Sequence, residues 1–280
     1  MKTKISALFI VWLIILGAFL TVCFTTCHGN ELPPNIIRVI SLSDAEKQLA
    51  EHTFTGDSPK TPLTVKVSFD IGDLSKPDNN YLRLLEIIGN SGLYVDLTLP
   101  SKMGGTTVFT SPPLIEAAKG MDKIVGITFS YITTSILADA NGQSPFYFYE
   151  NLKRVSTNYS QITHIGDYAF SSCKSLERVS VNSTKTVGRE AFNGCENLKR
   201  IDFSIELETI GDEAFYDCSA LERFSIRGNY PKLGDSVFLG STPSRFTFYI
   251  NKEYEGGFRR WINENASSFN NDGADIDFER

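Results

Sequence analysis

The sequence predicts an α/β fold: a right-handed solenoid with parallel strands on one face, short helices or turns on the other, and a C-terminal cap. Three observations predict it. Between Ile165 and Ile226 one pattern is written three times, as IGDYAFSSCKSLERVSV, VGREAFNGCENLKRIDF and IGDEAFYDCSALERFSI. Its columns hold Gly166, Gly188 and Gly211, then Phe170, Phe192 and Phe215, then Cys173, Cys195 and Cys218, then Leu176, Leu198 and Leu221, each advancing by 22 or 23 residues. A unit this short cannot bury its own apolar face, so it must lean on its neighbours. The pattern then decays as a terminal repeat does: Leu233, Gly234, Asp235 and Phe238 open a fourth unit that loses one residue and puts Pro243 in the leucine column. Third, apolar strand centres at Phe69, Leu97, Ile127, Val155, Val179, Ile201, Phe224 and Phe246 are spaced by 28, 30, 28, 24, 22, 23 and 22 residues, which extends the array N-terminally as longer coils.

The chain starts with an export segment. Lys2 and Lys4 precede an apolar run from Ile5 to Val22, and no acidic residue occurs before Glu31, a basic n-region followed by a long h-region. The run is also close to the ~20 residues that span a bilayer, so a retained anchor is the other reading. Phe24, Thr25, Thr26 and Cys27 resemble a bacterial lipobox, with Thr26 in place of the usual smaller residue, and the resemblance implies acylation of Cys27. Residues 1–26 are thus expected as signal peptide, 27–62 as tether and N-terminal cap, 63–160 as irregular coils, 161–250 as regular repeats, and 251–280 as C-terminal cap and tail.

Of 27 basic and 33 acidic residues, only Lys2 and Lys4 lie in the leader, which leaves 25 against 33 and a net charge of −8 from His28 onward. That balance argues against nucleic acid and against an anionic membrane surface as the main partner. Membrane association is expected through the lipid anchor alone.

Within the body, Glu31 to Ile40 carries Pro33 and Pro34 and reads as a tether. Ser41 to Thr53 predicts a helix with Ser43 or Asp44 as N-cap and Leu49 on its apolar side. Leu63, Val65, Val67, Phe69 and Ile71 alternate as a half-buried strand does. Tyr81, Leu84, Leu85 and Ile88 follow helical spacing, with Gly89 and Gly92 expected to stop the helix. Leu93 to Leu99 returns to period two, 112–120 offers a short helix, and Ile124–Phe129 and Leu152–Thr157 offer strands. In the regular units the glycine is expected to serve a sharp turn, the following Asp to cap a short helical turn, and Ala to permit close approach between coils. Past Ile250, a helix bearing Phe258, Trp261 and Ile262 is expected to cover the last apolar layer.

The IGDxAFxxCxxL framework resembles the BspA-type leucine-rich repeat of surface proteins from host-associated bacteria, specifically over residues 165–240. The resemblance implies an exported or lipidated, non-catalytic binding protein on the cell surface or outer membrane, of the adhesin or host-interaction type, with a host extracellular-matrix or surface protein as partner. The alternatives are an envelope structural or self-associating protein and, third, a glycoside hydrolase.

Arg154, Arg178, Arg200, Arg223 and Arg245 stand immediately before the inward residue of successive strands, and Lys123 could extend the line. Alternation sends these side chains outward, which predicts a basic stripe suited to carboxylate or sulfate on an acidic protein or an anionic glycan. Glu177 and Glu222 beside it are expected to neutralise part of the field.

No enzyme is expected. His28, His52 and His164 are the only histidines and none sits in a nucleophile motif; acid pairs such as Asp70 with Asp73 could serve a glycosidase. No cofactor or metal is expected. The three repeat cysteines lack a CxxC spacing and read as a buried ladder of free thiols. Ser268, Asn270, Asp272, Gly273 and Glu279 fall on calcium-loop positions but lack the leading Asp and the exit helix, so the segment reads as an acidic tail. Asn158, Asn182 and Asn265 lie in sequons that matter only in a eukaryotic host.

Overall fold

The computed structural model describes residues 33–53, 55–110, 119–139, 141–156, 161–228, 230–241, 245–249, 255–265 and 275–279. All that follows concerns the compact unit Asn35–Arg280. The expected export segment, Cys27 and residues 112–118 of the helix expected at 112–120 lie outside the described residues.

Ten strands form one parallel sheet in sequential order: β1 (Ile36–Val39), β2 (Leu63–Val67), β3 (Val95–Thr98), β5 (Ile124–Thr128), β7 (Arg154–Ser156), β9 (Arg178–Val181), β11 (Arg200–Phe203), β13 (Arg223–Arg227), β15 (Arg245–Tyr249) and β16 (Asp275–Glu279). Six shorter strands form a second parallel sheet: β4 (Val108–Thr110), β6 (Ser135–Leu137), β8 (His164–Ile165), β10 (Thr186–Val187), β12 (Thr209–Ile210) and β14 (Lys232–Leu233). Each coil therefore contributes one strand to the first sheet and, from β4 to β14, one to the second. This is the solenoid that the repeat period predicts, with the second sheet as an addition.

Helices occur in the first coils. α1 (Leu42–Glu51) is capped by Ser41, whose hydroxyl accepts from the Asp44 N–H at 3.1 Å. The Asp44 carboxylate reaches back to the Ile40 N–H at 2.9 Å, a near relative of the capping box. Hence Ser41, and not Ser43 or Asp44, is the N-cap: Asp44 occupies the third helical turn position, where an acid assists the cap. α2 (Asn80–Ser91) opens at Asn79 and buries Tyr81, Leu84, Leu85 and Ile88. It stops at Gly92 alone, which takes the left-handed conformation at φ 73°. Gly89 lies inside the helix, where an added Cβ would come within 2.7 Å of the Gly120 nitrogen; close approach is what it serves.

Two segments expected as tether and tail are strands. β1 pairs with β2 through Ile37↔Val65, and β16 pairs with β15 through Phe246↔Ile276. The two-proline stretch and the acidic composition hid them, although Ile37, Val39, Ile276 and Phe278 carry the period-two signal. Register also corrects one strand centre. Val65, not Phe69, stands beside Leu97, because β2 ends at Val67 and the Asp70 carboxylate then gathers the Gly72 and Gly104 N–H groups at 2.9 and 2.8 Å into a turn.

In the regular coils the outer face is made of turns. Tyr168, Glu190, Glu213 and Ser236 take left-handed φ values of 50–57° at the position before the small apolar residue. Alternate N–H groups of each turn donate to the next coil, as Tyr168 to Arg189 O at 2.9 Å and Phe170 to Ala191 O at 2.7 Å. The Asp of the motif does the same with its side chain: Asp167 Oδ1 accepts from Arg189 N and Asp212 Oδ1 from Asp235 N, both at 2.8 Å. It staples coils together where a helix cap was expected.

The interior is a file of parallel rings. Phe109, Phe146, Phe170, Phe192, Phe215 and Phe238 stack with centroids 4.9–5.5 Å apart and planes within 13°. Beside them Cys173, Cys195 and Cys218 are buried and unpaired. The thiols of Cys195 and Cys218 donate to Phe170 O and Phe192 O at 3.1 and 3.2 Å. Ser241 takes the same column in the fourth unit and donates to Phe215 O, so the column holds a hydrogen-bond donor aimed at the preceding coil, as well as a small hydrophobe. Burial pushes the Cys173 thiol up to about 12 and raises that of Cys195, which leaves almost no thiolate at neutral pH. We expect iodoacetamide to modify none of the three in the native protein and all three in denaturant, with mass spectrometry as the readout; alkylation of Cys195 without unfolding would contradict the packing.

At the C-terminal end, α3 (Glu255–Glu264) buries Trp261 and Ile262. The indole Nε1–H donates to Pro231 O at 3.0 Å, which makes Trp261 a packing residue.

Candidate functional site

The first sheet turns one side to the core and the other outward. Val155, Val179, Ile201 and Phe224 are buried in one row, and the residues before them form the next row outward. That row reads Asp96, Gly126, Arg154, Arg178, Arg200, Arg223, Arg245 and Asp275, strand against strand. All five expected arginines therefore stand in register. Arg154, Arg178 and Arg200 are exposed and Arg223 is half-buried; for Arg245 the strand position alone is described. Two residues further along lies a row of small polar residues: Thr128, Ser156, Ser180, Asp202, Ser225 and Thr247. Between the rows runs a groove of 760 Å³ lined by Arg154, Arg178, Arg200 and Arg223 together with Ser156, Ser180, Asn182, Lys199, Asp202 and Glu222.

The arginines are not equivalent. Arg154 grips both oxygens of Asp96 at 2.7 and 2.8 Å, reaching across β5, where Gly126 leaves the space: an added Cβ there would lie 2.3 Å from Asp96 Oδ1. Burial raises the Asp96 carboxyl above its ordinary range and outweighs the opposing pull of Arg154. Arg200 Nε donates to Asp202 Oδ2 at 2.6 Å, and Arg223 Nε lies 3.7 Å from Asp202 Oδ1. Ser225 Oγ also donates to Asp202. Asp96 and Asp202 thus neutralise part of the row. Glu177, expected in that role, lies 3.6 Å from Lys153 instead, while Glu222 lines the groove. Lys123 does not extend the line; it pairs with Asp122 at 2.9 Å and sits 4.7 Å from the Tyr94 ring, while Gly126 takes the row position on β5.

The acid pair offered for hydrolysis is occupied. Asp70 holds the turn described above, and Asp73 accepts from Ser75 N and Oγ at 2.9 and 2.7 Å. Backbone donors on Asp70 and the Ser75 hydroxyl and N–H on Asp73 hold both carboxyls below the usual range, the reverse of what a general acid needs at neutral pH. His164 meets the Thr163 hydroxyl at 2.7 Å at a coil corner. Among the described residues no group of three metal-ligating side chains converges, and no helix is long and apolar enough to cross a membrane.

Comparison with known proteins bears on the repeats. No curated protein matches the chain. A structural match is a leucine-rich repeat protein from Bacteroides ovatus, 18% identical with a TM-score of 0.38, over 78% of this chain and 54% of that one. The chain spans about half the length of that protein. The family model for the BspA type leucine rich repeat region matches residues 139–255 in six copies, which takes in Phe146 and its coil ahead of the three obvious units. Residues 139–255 thus match a BspA-type leucine-rich repeat region, and they form the middle and later coils of a parallel-stranded solenoid.

Proposed function

We propose that the protein is a non-catalytic surface binding protein, exported and lipid-anchored at Cys27, which presents the outward face of the ten-stranded sheet to an acidic protein or anionic glycan of a host. The single observation that supports this reading is the in-register arginine row beside a hydroxyl row on an otherwise acidic chain. Serine and threonine hydroxyls flank guanidinium groups along the groove, a donor-rich arrangement for carboxylate or sulfate. Each exposed pair contributes at most ~1 kcal/mol, so affinity has to come from several contacts made together.

Two measurements test it. Protease added to intact cells should shave the protein from the surface; full protection would remove the outward-facing role. Replacing Arg178, Arg200 and Arg223 together by serine should lower binding to immobilised matrix proteins or sulfated polysaccharide on the order of tenfold, with stability within about 0.5 kcal/mol of the parent, as for surface changes. Binding equal to the parent's would overturn the assignment of this face. Self-association is the second reading, and it draws on β1 and β16, each with a single strand neighbour among the described residues; light scattering of the purified chain separates it from the first.

A further inference from the structure

The arginine row is a copied column, and its five members would be expected to act alike. The side chains around them say otherwise. Arg154 is committed to Asp96 in a two-bond fork. Arg200 and Arg223 share Asp202. Arg178, between Arg154 and Arg200, is exposed and has no carboxylate within ion-pair distance among the described residues. The reason is visible in the register. Asp202 stands two residues after Arg200 on β11, and the residue at the same place on β9 is Ser180. The strand that carries Arg178 therefore lacks the acid that neutralises its neighbour. Ser156 and Ser180 flank it along the groove instead, with Asn182 at the end of β9.

We propose that Arg178 is the open anion position of this face and that it takes one carboxylate, the side chain of an acidic residue on a protein partner. The inference rests on the reading of the strand face as a binding surface. A single carboxylate fits better than a chain of sulfates because the groove also contains Asp202 and Glu222. A polyanion laid along the row would bring its next charges against Asp202, one strand across and two residues along, ~8 Å away and about a Debye length at physiological salt. A protein segment can place an acid over Arg178 and neutral or basic groups beyond it. Arginine also favours this ligand chemically, since its planar donor fork matches the two oxygens of a carboxylate.

The test uses the full chain and maps arginine modification by phenylglyoxal with mass spectrometry, because a guanidinium held by a carboxylate reacts more slowly than an open one. Arg178 should be modified roughly fivefold faster than Arg154 or Arg200, the ratio expected of an exposed ion pair. A short peptide with one glutamate among serines and alanines should slow Arg178 selectively, and its glutamine analogue should not. Ser180→Asp should remove both effects by supplying on β9 the acid that Asp202 supplies on β11, and Asp202→Ser should bring Arg200 up to the rate of Arg178. Equal rates at the three arginines, or equal protection by the two peptides, would overturn the proposal. So would slowing of all three by a sulfated polysaccharide with no effect of the glutamate peptide, an outcome that would assign the face to a glycan. Because the labelling tests how Arg178 differs from its neighbours in the row, its failure leaves the broader reading to be decided by the binding of the triple-serine protein.

Discussion

Replacing Phe192 with alanine is expected to cost about 3–5 kcal/mol of stability, the range for truncating a fully buried phenylalanine. The ring is inaccessible to solvent and lies between Phe170 and Phe215 at 5.0 and 5.1 Å, with planes 8° and 5° apart. Removing it ends two stacked pairs, each contributing ~0.5–1.5 kcal/mol beyond burial. It also opens a void that neither neighbour can fill, because each is held from its other side by Phe146 or Phe238. In a solenoid every coil touches only the next ones, so loss of one interface weakens the link between the N-terminal and C-terminal parts of the stack. Urea unfolding followed by circular dichroism should show a lower midpoint and a broadened or divided transition. Ile205→Ala, at a side chain that is 67% exposed, should stay within about 0.5 kcal/mol of the parent. A loss below ~1 kcal/mol for Phe192→Ala would mean that the ring file does not hold the coils together.

How much of this was legible beforehand depends on which force sets each feature. The phenylalanine, leucine and cysteine columns were readable because each identical residue answers one repeated packing demand. The first half was readable only as alternation and helical spacing, and there the strand register slipped by four residues, from Val65 to Phe69. Nothing local distinguishes the two, because both lie in one period-two run; the pairing with Leu97 and the turn held by Asp70 decide it. Phe146 was missed as a member of the ring file because its segment, SPFYFYENL, lacks both the glycine and the cysteine of the motif. Tyr149 takes the cysteine's place and turns its hydroxyl to Tyr81 at 2.8 Å. The arginine column was visible as residue types, whereas its chemistry was not. Asp96 lies 58 residues before Arg154, and no spacing rule joins them until β5 is known to carry glycine between. Asp202 was written in the second copied strand as RIDF where its neighbours read RVSV and RFSI, and comparing the copies by their differences would have found it.

The same comparison of columns gives the second large effect. Gly188→Ala is expected to destabilise the protein by about 3 kcal/mol, the upper range for forcing a methyl group into a packed site. The glycine of the repeat is not there for its conformational freedom: Gly166, Gly188, Gly211 and Gly234 are absent from the left-handed positions of the described backbone. What they permit is contact between coils. A Cβ on Gly188 would sit 2.4 Å from the Asp167 nitrogen and 2.6 Å from the Gly166 carbonyl carbon. Both are main-chain atoms of the preceding coil and cannot swing aside as a side chain could. Relief requires the coils to separate, which stretches the Gly188 N–H bond to Ile165 O and the Asp167 staple to Arg189, each at 2.8 Å. Glu213 supplies the opposite case, a residue with a side chain held at φ 54°. There Glu213→Gly removes a left-handed strain of about 1–2 kcal/mol but adds unfolded-chain entropy of comparable size, so stability should stay within about 1 kcal/mol of the parent. Thermal and urea unfolding of the two variants side by side is the measurement. If Gly188→Ala proved as mild as Glu213→Gly, the coils would have room between them, and the close stacking that aligns the arginine row would lose its physical basis.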